Sequence, residues 1–144
     1  MLIYCWKQVI FLNFPSFFLM IFLKFFSCEY LEISEFKFDQ YKDRKKTIVL
    51  TSRVHPGESM VSYLIEYMID YLIGNSVEAK ILRENFVFFV IPMLNIDGVI
   101  NGNYRANLAG FDLNRQYQNP TKQQHPTIYN LKNVILIILV VKKT

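Results

Sequence analysis

At 144 residues the chain is long enough to form one domain with a sizeable core. Its hydrophobic content of 52% lies above the usual globular range, and its net charge of +4 is modest. No basic face interleaves with aromatic residues, which argues against nucleic acid as a partner. Two cysteines, Cys5 and Cys28, are too few for a disulfide framework and make a reducing compartment the default.

The apolar surplus is uneven: it sits in the first 26 residues and the last dozen. Between Lys7 and Lys24 run sixteen residues without charge, interrupted by Asn13, Pro15 and Ser16. A spanning helix wants about 20. Phe25-Phe26-Ser27-Cys28 is a poor signal-cleavage site, and Lys24 breaks the apolar run. Three readings stay open for this segment: a signal or anchor, a buried segment, or sequence unrelated to the domain.

Leu31 to Phe38 alternates apolar and charged residues, the pattern of a half-exposed strand. Asp39 to Lys46 is a polar loop, and its cluster of Lys42, Arg44, Lys45 and Lys46 reads as a solvated surface. Thr47 to Val54 is a second strand, more continuously apolar and therefore expected to be more buried.

The chain then turns at Pro56-Gly57. Val61, Leu64, Ile65, Met68, Ile69 and Leu72 come next at one-face spacing, which predicts a helix ended by Gly74-Asn75. Ser76 is a candidate N-cap for a short helix from Val77 to Arg83. Phe86 to Met93 is an apolar strand without alternation, the pattern of a strand covered on both faces. Strand, helix and strand at this spacing make a βαβ unit with a right-handed crossover expected. Ligands of such sheets bind beyond the carboxyl ends of the strands, where His55 and Asn95 both lie.

Leu94 to Pro126 is rich in Asn, Gly and Asp and too long for a passive loop. Asp97-Gly98 and Gly102-Asn103 read as turns. Thr127 to Asn133 begins a helix. Val134 to Val141 is eight apolar residues, read as a buried strand or as a truncation artefact.

Chemistry concentrates in three places. His55 and Glu58 supply an imidazole nitrogen and a carboxylate at a strand-to-helix turn, the donor types zinc takes. Spacing alone is a weak signal, since a helix-capping glutamate beside an unrelated histidine looks the same. Arg105 is suited to stabilise a developing oxyanion, and Asn114-Arg115 to grip a substrate carboxylate through parallel hydrogen bonds. Taken singly, each arginine fits an exposed surface residue equally well. Asp112 orients an arginine or caps a turn. His125, the other histidine, is a weak third-ligand candidate, since most lone loop histidines bind no metal.

Four segments stand in an order and spacing that resemble the M14 zinc carboxypeptidases, and within them the cytosolic carboxypeptidase subfamily. They are His55-Pro56-Gly57-Glu58-Ser59, Pro92 to Val99, Asn101-Gly102-Asn103-Tyr104-Arg105, and Gly110 to Gln116. His125 to Tyr129 is similar to that subfamily as well. The likeness covers residues 29–133, read as a partial peptidase domain. Residues 1–28 and 134–144 do not resemble the family.

The resemblance implies an α/β fold, a mixed β-sheet flanked by helices, of which this chain carries roughly the N-terminal half. It implies Zn2+ as cofactor, with His55 and Glu58 as its first two ligands. It implies that Arg105 polarises the scissile carbonyl and that Asn114 and Arg115 bind the terminal carboxylate. The reaction implied is hydrolytic removal of C-terminal residues, glutamates in particular, from protein tails such as those of tubulin. A cytoplasmic location is implied too, or a membrane-associated or secreted one if residues 1–26 are a signal or anchor. The family's third ligand, a later histidine, and its general-base glutamate have no match in these 144 residues. The alternative is therefore a catalytically inactive truncated fragment or a non-catalytic binding remnant. A zinc amidohydrolase acting on small amino acids is disfavoured, because the run from Asn101 to Arg115 matches the peptidase subfamily.

Overall fold

The computed structural model describes residues 28, 30–34 and 45–141. The expectations placed on residues 1–26 and 35–44 lie outside these. Three strands, β1 (Leu31–Ile33), β2 (Lys46–Thr51) and β3 (Phe86–Ile91), form a sheet in the order β1-β3-β2. β1 runs antiparallel to β3, with Ile33 opposite Phe88, and β2 runs parallel to it, with Ile48 opposite the same residue. The sheet is thus mixed, as the family resemblance implies.

β3 is central and both its faces are covered, which is why its sequence does not alternate. On one side Phe88 and Val90 pack with Ile33, Ile65, Ile69 and Leu72. On the other, Ile91 packs against the cluster of Leu94, Leu113, Ile128 and Leu131. Removing side chains of this size from water contributes about 1.5–3 kcal/mol each. β2 departs from expectation. It ends at Thr51, not Val54, and its interior residues are only half-buried. Among the described residues it pairs with β3 alone and so forms a margin of the sheet.

Helix α1 (Met60–Ile73) returns the chain from the end of β2 toward the start of β3. Its buried residues are Ile65, Ile69 and Leu72, a narrower stripe than predicted, and Leu64 is exposed. α2 (Val77–Asn85) begins where the Ser76 side chain accepts the Ala79 N–H at 3.2 Å, the predicted cap. After β3 comes a short helix, α3 (Ile96–Ile100). Asp97-Gly98, expected as an open turn, lies inside it because the Asn95 side chain caps the helix by accepting the Gly98 N–H at 3.1 Å. Gly102, with φ 74°, does form a turn. Leu113–Arg115 makes one turn of 3-10 helix.

The last element, α4, spans Pro126–Val141. Val134 to Val141, read from sequence as a strand or an artefact, continues this helix. A proline at the first helical position is pre-set for helix, and no glycine or further proline interrupts the chain from there to Val141. An unbroken apolar run carries no period that separates strand from helix. Ile128, Leu131 and Ile135 face the core, whereas Leu136, Ile137, Leu139 and Val140 are exposed. Among the described residues no helix is long and apolar enough to cross a membrane.

Candidate functional site

The parallel pairing of β2 with β3 continues past both strands and brings their following loops together. Ser52 donates its N–H to the Ile91 carbonyl at 2.9 Å, Leu94 to Ser52 at 2.9 Å, and Asn95 to Arg53 at 3.1 Å. The Asn95 side chain adds a bond to the Val54 carbonyl at 3.2 Å. His55 and Asn95 therefore converge beyond the carboxyl ends of the strands, as the βαβ reading requires.

Two glycines allow a third loop to close over this point. The Gly57 N–H donates to the Tyr104 carbonyl at 2.7 Å, and a Cβ at Gly57 would sit 2.8 Å from that oxygen. A Cβ at Gly98 would meet the Pro56 ring at 2.5 Å and the Ala106 carbonyl at 2.9 Å. Backbone approach this close admits no side chain.

His55 is 7% exposed. Its Nδ1 lies 2.9 Å from Glu58 Oε1, and its Nε2 lies 3.0 Å from Asp112 Oδ1. Asp112 Oδ2 accepts from Arg105 Nε at 2.8 Å, and Oδ1 also accepts the Asn114 N–H at 2.9 Å. Desolvation acts to raise the Asp112 carboxyl. Hydrogen bonds from His55, the Asn114 N–H and Arg105, with the Arg105 charge, together outweigh it and hold the pKa below the ordinary aspartate value.

An ionised Asp112 only accepts, so its contact with His55 is a hydrogen bond when the proton sits on Nε2. In the neutral ring Nδ1 then presents a lone pair to the Glu58 oxygen. Two acceptors at 2.9 Å are compatible only when a proton or a cation lies with them. Imidazole nitrogen beside carboxylate oxygen is a donor pair that zinc accepts, so the residues present fit this metal. Among the described residues no group of three or more His, Cys, Asp and Glu is arranged to hold a metal ion.

Asn114 and Arg115 come after Asp112 on the 3-10 turn. Leu113, 1% exposed, anchors that turn in the core, while Asn114 and Arg115 are themselves exposed. His125 does not join His55 and Glu58. It is buried, its Nδ1 accepts the Thr121 N–H at 3.1 Å, and its ring stands edge-on to Phe111 with centroids 4.7 Å apart. It buttresses the approach to Asp112. Asn107 braces the same segment, accepting the Phe111 N–H at 2.9 Å and donating to the Gln124 carbonyl at 2.6 Å.

Sequence reasoning missed one bond and one residue. Asp112 both binds an arginine and caps a turn, as its two readings have it, but nothing in the local pattern points to its bond with His55. Nothing in that pattern marks Arg53 either. It has φ 53°, and among the described residues it is the one non-glycine with positive φ. A β-strand pattern running to Val54 conceals it.

The zinc carboxypeptidase family matches residues 27–133 of the sequence. The chain belongs to this family. Cytosolic carboxypeptidase 1 of Xenopus laevis is 48% identical over 104 residues, which are 72% of this chain and 8% of that protein. Cytosolic carboxypeptidase 2 of Mus musculus is 53% identical over 95 residues, 66% of this chain and 11% of that protein. The chain therefore spans about a tenth of the length of these zinc carboxypeptidase relatives. Among solved structures, a metallo-carboxypeptidase from Burkholderia cenocepacia superposes with a TM-score of 0.71 at 29% identity, covering 78% of this chain and 30% of that one. A metallo-carboxypeptidase from Pseudomonas aeruginosa, in complex with (2-guanidinoethylmercapto)succinic acid, gives 0.68 at 25% identity over 76% and 28%.

Proposed function

We propose that His55 and Glu58 are two of the protein donors of a zinc centre in a metallocarboxypeptidase. Arg105 polarises the scissile carbonyl, and Asn114 with Arg115 holds the terminal carboxylate of the substrate. The observation that carries this reading is Asp112, whose one carboxylate bonds His55, Arg105 and the Asn114 N–H. It ties the metal donors to both substrate-binding elements across 57 positions of sequence.

When bound, zinc supplies a Lewis acid and lowers the pKa of a water to about 7. The chain's own residues supply the rest. Asp112 fixes the His55 tautomer so that Nδ1 faces the metal position beside Glu58. Arg105, partly exposed, keeps donors available for an oxyanion while its Nε is braced by Asp112. Arg115 offers a fork of donors that matches a carboxylate. The succinic acid derivative bound to the Pseudomonas aeruginosa protein is a dicarboxylate, which supports carboxylate recognition as the shared task.

The substrates proposed are C-terminal glutamates of protein tails, tubulin among them. The location proposed is the cytoplasm, which the word cytosolic in the names of the relatives supports. A second reading is favoured for the 144 residues by themselves. Two convergent donors among the described residues fall short of the three that a hydrolytic zinc site uses, and on that reading this polypeptide alone binds zinc weakly and releases no glutamate.

The test is zinc titration of the full chain, monitored through the His55 imidazole resonances, with a glutamate-release assay on a peptide ending in polyglutamate. Weak binding abolished by Glu58→Ala is expected, with a blank assay. No zinc response at His55 would sink the metal reading, and turnover by the chain alone would sink the two-donor reading.

A further inference from the structure

Arg53 occupies the left-handed region, φ 53°, which a Cβ disfavours. Strained backbone of this kind persists where its surroundings over-determine it, and it gathers at functional sites. Here the surroundings are explicit. The Arg53 carbonyl accepts the Asn95 N–H at 3.1 Å. Its side chain folds back so that Nε donates to the Pro56 carbonyl at 3.0 Å, and Nη2 donates to the same oxygen. Nη1 donates to Ser62 Oγ at 2.7 Å. One side chain thus joins the exit from β2, the Pro56 turn and the first turns of α1.

Both proposed metal donors lie within that span. His55 falls between Arg53 and Pro56, and Glu58 between Pro56 and Ser62. A turn that only needed positive φ would be served by glycine without strain. Arginine adds a planar fork of donors with fixed geometry, which lysine cannot reproduce.

We propose that Arg53 is a positioning residue for the His55–Glu58 pair. Its left-handed backbone turns His55 back into the site, and its guanidinium fixes the Pro56 carbonyl and Ser62. Glu58 is thereby held 2.9 Å from His55 Nδ1. The inference rests on the reading of His55 and Glu58 as metal donors. Its consequence is that the donor pair is set by the apo fold and not assembled by the ion.

The experiment uses the full 144-residue chain with Arg53→Gly, Arg53→Lys and Ser62→Ala. Melting is measured in chelator, and zinc chloride titrations are monitored through the His55 imidazole resonances. Glycine keeps the backbone conformation and removes the fork. Its chelated melt should stay near that of the parent while zinc affinity at His55 falls about 10-fold, the low end for residues that orient a metal ligand. Arg53→Lys should fall between the two. Arg53→Gly with the affinity of the parent overturns the inference. If Arg53→Gly does not fold, Ser62→Ala decides: weaker zinc binding with an intact melt supports the inference, and unchanged binding overturns it. A parent chain without any zinc response at His55 overturns the donor reading and this inference with it. A responsive parent with an equally responsive Arg53→Gly overturns the inference alone.

Discussion

His55 Nε2 lies 3.0 Å from Asp112 Oδ1, although the two residues are 57 positions apart. A proton on Nε2 makes this contact a hydrogen bond and leaves the Nδ1 lone pair facing Glu58. Partners of this kind fix ring orientation and raise the basicity of a ligating histidine. Asp112→Ala should therefore weaken zinc binding at His55 by about 10–100-fold. Asp112→Asn keeps an acceptor for Nε2 but loses the charge facing Arg105, so its loss should be smaller. Titrations read through the His55 resonances measure both, and an Asp112→Ala chain that binds zinc as the parent does would remove Asp112 from the site.

Asp97 gives the fold a pH dependence of known sign. Burial raises its carboxyl above the ordinary aspartate value. The folded state therefore prefers the protonated form. That preference adds stability below the unfolded pKa of about 3.9 and loses it as pH rises through the folded value. Asp97→Asn stays neutral at every pH. In chelator it should raise the urea midpoint at neutral pH and leave it unchanged at pH 3. Equal midpoints for parent and variant across that range would show that burial of Asp97 costs the fold nothing.

The fold was legible where a period met a cap. Ile65, Ile69 and Leu72 repeat at helical spacing, Ser76 marks a helix start, and the unalternating Phe86–Ile91 names a strand covered on two faces. The convergence of His55 with Asn95 came from parallel pairing alone. The Val134–Val141 segment was illegible because an apolar run has no period, and propagation of the helix begun at Pro126 decides it. Half of the site was illegible for a different reason. The His55–Asp112 bond depends on how a long loop folds back, and the positive φ of Arg53 belongs to a turn that only tertiary bonds hold in place. Local pattern carries no trace of either.

Gly98→Ala tests whether the loops above the sheet are as tightly fitted as the geometry implies. The new Cβ would lie 2.5 Å from Pro56 Cγ, 2.7 Å from Asn95 Oδ1 and 2.9 Å from the Ala106 carbonyl. All three neighbours are held by hydrogen bonds, since Asn95 Oδ1 caps α3, the Ala106 carbonyl accepts from Asn103 and the Pro56 carbonyl accepts from Arg53. The shortest of the three contacts is to the Pro56 ring, so relief displaces the Pro56 turn against its bonds from Arg53. Overpacking of this kind costs about 1–3 kcal/mol, so the melting temperature should fall clearly. The zinc response of His55 should weaken along with it, because the Pro56 turn lies between the two proposed donors. A variant that melts with the parent would mean that α3 can shift without cost.

The outer face of α4 predicts self-association. Leu136, Ile137, Leu139 and Val140 are each at least half exposed, and they lie directly beyond the buried Ile128 and Leu131 on the same helix. Contiguous exposed apolar surface promotes association between copies or with other proteins. Substituting Leu136→Lys together with Val140→Glu adds an i,i+4 pair of opposite charge on this face and removes apolar area that the described core does not use. Exposed positions of this kind change stability little, so the melting temperature at low concentration should stay within about 0.5 kcal/mol of the parent in free-energy terms. Sedimentation velocity across a concentration series should show aggregation for the parent and a monomer for the variant. A parent that remains monomeric at the highest concentration would mean that this face is already covered, and the variant should then lose stability.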